Sequence, residues 1–545
     1  MHRRLSKSAV RMLLGLVFLV TFFVNNHVIY PDLMEARNII AAREMLEDGH
    51  WLVPTLNGEL RVEKPPLPTW IAAGVEAVCP GSIACQRAAA GLAAVMLAYF
   101  FCRFARRVLR LPAVVPVLLL CTSYSIILMG RTASWDIYCH AFMMGCIYFL
   151  ARALQAEGAG WRYFAAAGVM MGLSVLSKGP VSPYALLLPC VLSAVWTVRP
   201  TMRGKWGGVT LMILTALVAG GWWYAYIWLN VGDAAVQVAA KESGSWINHN
   251  VRPWWYYWKF FLETGVWSVL TLTAVSLPFF QKKLRANRGY MFSLAWAAVT
   301  IVLLSALPEK KPRYLLPLLI PLAYTMGFLL TGWVQALAKN AASAADKSLF
   351  RLNCLLIATA VILLPPFAYV FVYLRGFIPL GMWAAWAAFC GIISIWLVRC
   401  AVKWKPAGMV YAVTVLFCAA ECFMMPCLNG IINNPDMHSI AAVRKMEALR
   451  PLPFYHNSEE ALRIEMVYET GKKIRPLDIG CIDSVRAHVP FALLTHKPAS
   501  EEMSADVAAA FRLQPIDRYD NNRRPKGNRR YSADFIYYVT VVGGN

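Results

Sequence analysis

The chain is 545 residues long and 59% hydrophobic, with 15% charged residues where soluble domains carry about 25%. That excludes a soluble globular chain, and the apolar residues come in runs near the ~20 needed to cross a bilayer. The net charge of +23 is spread over short loops at alternate ends of those runs, which is an orientation signal and not a nucleic-acid footprint.

The opening HRRLSK and Arg11 precede an apolar run to about Ile29. A signal peptide has a shorter core and a small-residue cleavage site, so this run reads as a retained first helix with its amino end in the cytoplasm. Next comes the stretch Tyr30–Trp70, which gathers Asp32, Glu35, Arg37, Glu63 and Lys64 in one outer loop. Further helices are expected at 86–106, 113–129, 136–156, 161–177, 182–198, 208–230, 256–280, 289–307, 314–337, 351–374, 378–400 and 408–428, thirteen spans in all with the first. Basic residues test the parity. Arg103, Arg106, Arg107 and Arg110 follow the second span, Arg162 the fourth, and Arg199, Arg203 and Lys205 the sixth. Lys282, Lys283, Arg285 and Arg288 follow the eighth, Lys339 and Lys347 the tenth, and Lys403 and Lys405 the twelfth. All these loops share one side, the cytoplasmic one if the amino end lies there.

The expected fold is therefore an all-α polytopic membrane bundle, residues 1–429 with an outer loop at 31–85, followed by a small α/β domain at 430–545 on the outer face. In that domain helical stretches near 437–449, 459–468 and 502–511 alternate with strand-like runs at 491–495 and 535–542. Arg523, Arg524, Lys526, Arg529 and Arg530 form a basic tail there, suited to phosphate or anionic lipid.

Polar groups outside the cytoplasmic loops all fall on the outer side. Beyond the first loop they are Arg131 and Asp136 in GRTASWD, Lys178 in SKGP, Lys241, Glu242, His249 and Arg252 before WWYY, and Glu309, Lys310, Lys311, Arg313 and Tyr314 in PEKKPRY. Outer Lys and Arg oppose the orientation rule, so a ligand is expected to retain them, and a lipid-linked phosphate at the bilayer surface needs such cations. Asp32 or Asp136 is suited to accept a proton from an acceptor hydroxyl or to orient the acceptor. Plainer readings stand beside these. Asp32 and Glu35 fit a capping box opening a helix from Leu33 to Asp48 closed by Gly49, with Ala36, Ile39, Ala42 and Leu46 along the membrane surface and Arg43, Glu44 and Glu47 in water. Asp136 begins a helix, where the dipole favours a carboxylate. Lys178-Gly179-Pro180 reads equally as a turn, and His249 as a solvated loop residue. Trp254–Tyr257 has the composition of an interfacial aromatic belt.

The segments PDLMEARNIIAAREML, GHWLVPTLNGELRVEKPPLPTW, GRTASWD, SKGPV, NHNVRPWWYY and KKPRYLLPLLIPLA, in that order over about residues 25–330, resemble the GT-C membrane glycosyltransferases that use polyprenyl-phosphate sugars. The resemblance is closest to the bacterial lipid A 4-amino-4-deoxy-L-arabinose transferases and extends to the protein O-mannosyltransferases. It implies that the acid of the first outer loop, Asp32, is the catalytic or acceptor-orienting carboxylate, with Asp136 at the second acidic position. It implies that Lys64 binds the carrier phosphate, with Arg131 and Tyr314 as further ligands, and the outer cations Lys178 and Arg313 join that set. Glu63 and His249 match positions that share a divalent cation (zinc, magnesium or manganese). One departure matters: the family pattern has Asp-Glu adjacent, whereas Leu33 and Met34 separate Asp32 from Glu35, so either acid can hold the catalytic position. Pro31 favours Asp32.

The expected activity is transfer of a sugar, aminoarabinose-like by resemblance, from a polyprenyl-phosphate donor to lipid A or a protein at the outer leaflet of the bacterial inner membrane. Inversion at the anomeric carbon with the carrier phosphate as leaving group is the expected chemistry. A lipid or sugar transporter is the alternative class, but transporters place polar groups near the midplane, whereas these charges gather at one mouth.

Overall fold

The computed structural model describes residues 6–427 and 434–544, with only the backbone described at residues 7, 235, 239, 241–243 and 245–247. The chain is a multi-pass membrane protein built from helices, with a small sheet near its carboxyl end. Among the described residues nine helices are long and apolar enough to cross a membrane: Ile83–Arg107, Trp135–Gln155, Trp206–Asn230, Trp254–Phe280, Arg288–Ala306, Pro312–Ala338, Ala344–Tyr373, Leu380–Lys403 and Pro406–Cys427.

The other four expected spans are helical but shorter, broken or less apolar. The first, α1 (Lys7–Phe22), stops well before Ile29, and the Asn25 side chain beyond it donates to the Glu421 carbonyl at 2.9 Å. The run at 113–129 is split into two short helices, Val114–Cys121 and Tyr124–Gly130. The break falls where the Thr122 and Ser123 hydroxyls bond back to the Leu118 and Leu119 carbonyls and compete with the backbone ladder. The stretch at 161–177 forms one helix of 18 residues, and that at 182–198 opens as a π-helical turn containing Pro183.

The chain divides into two compact units. The first comprises the residues up to His27, Val62–Pro68 and Ile83–Pro426; the second comprises Val28–Arg61, Thr69–Ser82 and the residues from Cys427 on.

In the first unit Pro312–Ala338 is the central helix, with 89% of its most apolar window buried, whereas Trp206–Asn230 is peripheral at 28%. Helices Trp135–Gln155 and Trp161–Lys178 are joined by a five-residue connection and pack side by side as an antiparallel pair. The second of them approaches its other neighbour so closely that a Cβ at Gly172 would lie 2.6 Å from the Ala219 Cβ. Small residues permit such backbone contact between apolar helices.

In the second unit α2 (Leu33–Asp48) has Asp32 as its N-cap and Gly49 in the left-handed region (φ 74°) at its end, the capping box and glycine stop read from the sequence. The five-stranded sheet consists of β3 (Phe454–Asn457), β4 (Ile474–Leu477), β5 (Phe491–Thr495), β6 (Phe511–Asp520) and β7 (Ile536–Gly544), after a two-stranded hairpin of β1 (Thr55–Leu56) and β2 (Glu59–Leu60). Its order is β4-β3-β5-β7-β6, parallel on the β4-β3-β5 side and antiparallel from β5 to β6. Helix α2 is not a half-wet surface helix as expected. Ala36, Ile39 and Ala42 are buried, but so is Glu44, whose carboxylate accepts from the Thr55 hydroxyl at 2.5 Å and from the Asn57 and Gly58 amides at 2.6 and 3.2 Å. Glu44 is inside because the hairpin turn needs an acceptor for its amides.

Candidate active site

The residues singled out in the sequence divide between the two units. In the second unit the local fold of Asp32 follows from helix capping. Its Oδ1 accepts from the Met34 and Glu35 amides, both at 2.8 Å, and Glu35 Oε2 accepts from the Asp32 amide at 3.1 Å. The two acids therefore differ in setting. Glu35 is buried (2% exposed), while Asp32 stands exposed at the helix start. A carboxylate here is also favoured by the helix dipole.

Arg523, grouped with the basic tail on sequence, is instead half-buried against this loop. Its Nη1 donates to the Pro31 carbonyl at 2.8 Å and its guanidinium lies 3.8 Å from the Tyr30 ring centroid. Burial lowers its pKa, opposed by the carboxylates of Glu465, Glu469 and Asp32. Sequence reasoning missed this residue because Arg523 and Pro31 lie 492 positions apart. Glu469 is buried in the helix Ile464–Thr470, and desolvation raises its pKa to about 7 against the lowering effect of Arg523.

In the first unit, Asp136 sits in the first turn of Trp135–Gln155 and Lys178 ends Trp161–Lys178, and the two side chains form a buried ion pair. The pairing follows from the antiparallel packing, which sets a helix start that favours an anion beside a helix end that favours a cation. One turn on from Asp136, buried His140 shares a hydrogen bond of 2.7 Å between Nδ1 and the Ser182 hydroxyl. Sequence reasoning missed His140, and the i, i+4 spacing from Asp136 is the signal that could have found it.

The loop carrying Arg313 and Tyr314 meets the same pair. Lys178 Nζ lies 5.6 Å from the Tyr314 ring centroid, and the Arg313 guanidinium lies 6.0 Å from it. The Tyr314 hydroxyl donates to Glu309 Oε2 at 3.2 Å, while Lys311 pairs with Glu309 Oε1 at 2.5 Å. The segment around Glu309 is fixed by a bridge to Val251 and by buried Lys310, whose ammonium donates to the Arg252 carbonyl at 3.2 Å and to Leu307 and Pro308 carbonyls. Lys178 and Lys311 thus have carboxylate partners, but the Nε of Arg313 is buried and meets no acceptor among the described residues. An anion is what such a donor lacks.

Arg131 is held by other groups. It donates to the Thr21 and Val24 carbonyls at 2.8 and 2.6 Å and pairs with Glu421 at 2.8 Å, so it fastens the end of α1. Glu63 and Lys64 are half-buried on Val62–Pro68, in the first unit, and His249 is exposed. Among the described residues no three His, Cys, Asp or Glu side chains gather as a metal site. Glu63 and His249 would supply two ligands, short of the three that catalytic zinc sites take from protein.

Comparison with known proteins agrees with the resemblance. Residues 63–224 match the family model described as dolichyl-phosphate-mannose-protein mannosyltransferase. Over 329 residues the chain is 28% identical to the undecaprenyl phosphate-α-4-amino-4-deoxy-L-arabinose arabinosyl transferase of Edwardsiella ictaluri, covering 56% of this chain and 55% of that one. It is 27% identical to the transferase of the same name from Pseudomonas aeruginosa strain LESB58 over 395 residues, 66% of each chain. The alignment thus spans little more than half the length of the Edwardsiella relative. The crystal structure of ArnT from Cupriavidus metallidurans bound to undecaprenyl phosphate superposes with a TM-score of 0.65 at 15% identity, covering 98% of both chains. The matched segments are similar to these transferases, and the fold is that of the ArnT structure.

Proposed function

We propose that the chain transfers one sugar from a polyprenyl-phosphate donor to lipid A at the outer leaflet of a bacterial inner membrane, with its sheet-bearing unit in the periplasm. The orientation follows from the charge parity of the loops, and the donor from the names of the curated relatives. The observation that carries the reading is Arg313, half-buried beside Tyr314 and the Lys178–Asp136 pair, whose buried Nε meets no acceptor among the described residues.

In this mechanism the acceptor oxygen attacks the anomeric carbon as the bond from that carbon to the carrier phosphate breaks. The carrier leaves with the electron pair, and the configuration inverts. Arg313, Lys178 and Lys64 stabilise the charge on the departing phosphate, and the Tyr314 ring flanks the first two. Asp136 holds Lys178 in place. Asp32 serves as the acceptor-facing acid, because Glu35 is buried in its capping role while Asp32 is exposed. A phosphate acceptor on lipid A is already ionised, so Asp32 orients it; a hydroxyl acceptor would need Asp32 as general base.

Mass spectrometry of envelope lipids and glycoproteins from cells with and without the chain tests the acceptor. Loss of one sugar confined to lipid A is the expected result. Loss confined to protein glycans would move the acceptor to protein, and unchanged profiles of both would contradict transfer in the envelope.

A further inference from the structure

The helices that carry Asp136 and Lys178 at one end hold a second basic cluster at the other. A cleft of about 480 Å³ is lined by Tyr99, Phe100, Arg103 and Arg107 from Ile83–Arg107, by Tyr148, Phe149 and Arg152 from Trp135–Gln155, and by Tyr163. Tyr148 and Arg152 follow Asp136 on the same helix at about 18 and about 24 Å along its axis, so the cleft lies toward the opposite end of that helix.

We propose that the cleft binds the phosphate of an anionic phospholipid. Three arginines line it, and none of its lining residues is acidic. Loop arginines at a membrane face are ordinary orientation signals, but two features go beyond that. First, the Nε of Arg103 is buried without an acceptor among the described residues, although Nη2 of the same side chain donates to the Tyr148 hydroxyl at 3.3 Å. Nearby Lys205 shows the contrasting, satisfied arrangement, donating to the Ala153, Ala156 and Gly158 carbonyls at the end of the same helix. A phosphate oxygen supplies the acceptor Arg103 lacks, and guanidinium groups match phosphate through paired N–H donors. Second, the guanidinium groups are pre-positioned by rings. Arg103 lies 5.9 Å from the Tyr99 centroid and 5.8 Å from that of Tyr148, and Arg152 lies 5.5 Å from that of Tyr163. Leu92 and Tyr99, two turns apart on one face, are 63% and 53% exposed and lead along the apolar helix to Arg103. That face suits an acyl chain, which favours a lipid over a soluble phosphate.

The test is native mass spectrometry of the full chain released from nanodiscs of equal phosphatidylglycerol and phosphatidylethanolamine, with and without millimolar inorganic phosphate. Wild type is expected to retain phosphatidylglycerol in preference, undisturbed by free phosphate, and Arg103→Gln with Arg152→Gln to lower that retention about tenfold. If the double variant does not fold, the exposed Arg107→Gln alone is expected to lower retention about threefold. Equal retention of the two lipids by wild type, undiminished retention in the folded variant used, or displacement by inorganic phosphate would each overturn the proposal. The readout is independent of glycosyl transfer, so its failure leaves the proposed activity standing.

Discussion

Arg523 donates to the Pro31 carbonyl at 2.8 Å and covers the Tyr30 ring, so the last third of the second unit grips the residue before Asp32. The helix cap fixes Asp32 from one side and this contact fixes the chain from the other. Arg523→Ala is therefore expected to lower kcat about tenfold, a loss of about 1.4 kcal/mol in positioning, with little change in KM for the donor. Arg523→Lys keeps the charge but not the stacked plane and should fall between. Steady-state kinetics beside thermal melting separates positioning from unfolding. Unchanged kcat in a folded Arg523→Ala variant would remove Arg523 from this role.

Asp136 is buried and the Lys178 side chain is 9% exposed, so losing either partner alone is costly. Asp136→Ala should destabilise the chain by about 3–5 kcal/mol by leaving a buried ammonium unpaired. Asp136→Ala with Lys178→Ala should recover part of that, which a double-mutant cycle in detergent measures. Strict additivity would mean that the two residues do not act as a pair.

Arg313→Gln removes the buried unsatisfied donor assigned to the carrier phosphate. The expected effect is about a tenfold rise in KM for the donor, with matching loss of inhibition by free polyprenyl phosphate. Inhibition constants equal to wild type would place the phosphate away from Arg313.

Glu469 gives a pH dependence with a definite sign. Its pKa is raised from 4.5 to about 7 by burial, so the folded state keeps a proton that the unfolded chain releases. Stability is then expected to decline as pH rises from about 4.5 to about 7 and to stay lower above it. Glu469→Gln, which cannot ionise, should flatten that slope and raise stability at pH 8 by on the order of 3 kcal/mol. Melting curves across this range check it; an unchanged slope in the variant would assign the dependence to another group.

The legible parts of the fold were those set by local chemistry. Helix α2 was readable end to end because Asp32, Glu35 and Gly49 are its own start and stop signals, and β5 because FALLT is a short apolar run. Strand β6 was not, since FRLQPIDRYD is polar and contains Pro515; it lies at the sheet edge with an irregularity between Pro515 and Asp517, where proline is tolerated. Glu44 looked solvated because nothing near it in sequence announces that a hairpin turn will need its oxygens. The candidate site divided in the same way. Asp136 and Lys178 stood out as charges at helix ends, whereas the engagement of Arg131 with Thr21, Val24 and Glu421 depends on tertiary packing that no motif records.

The most direct test uses purified chain, a labelled polyprenyl-phosphate sugar and an acceptor lipid, with release of free polyprenyl phosphate as the readout. Asn is as good an N-cap as Asp, so Asp32→Asn preserves α2 while removing the carboxylate, and Glu35→Gln preserves the return hydrogen bond of the cap. Wild type should turn over, Glu35→Gln should stay within about threefold of it, and Asp32→Asn should lose about a hundredfold or more with its melting temperature unchanged. No turnover by wild type, or undiminished turnover when Asp32→Asn and Glu35→Gln are combined, would contradict glycosyl transfer through this acid.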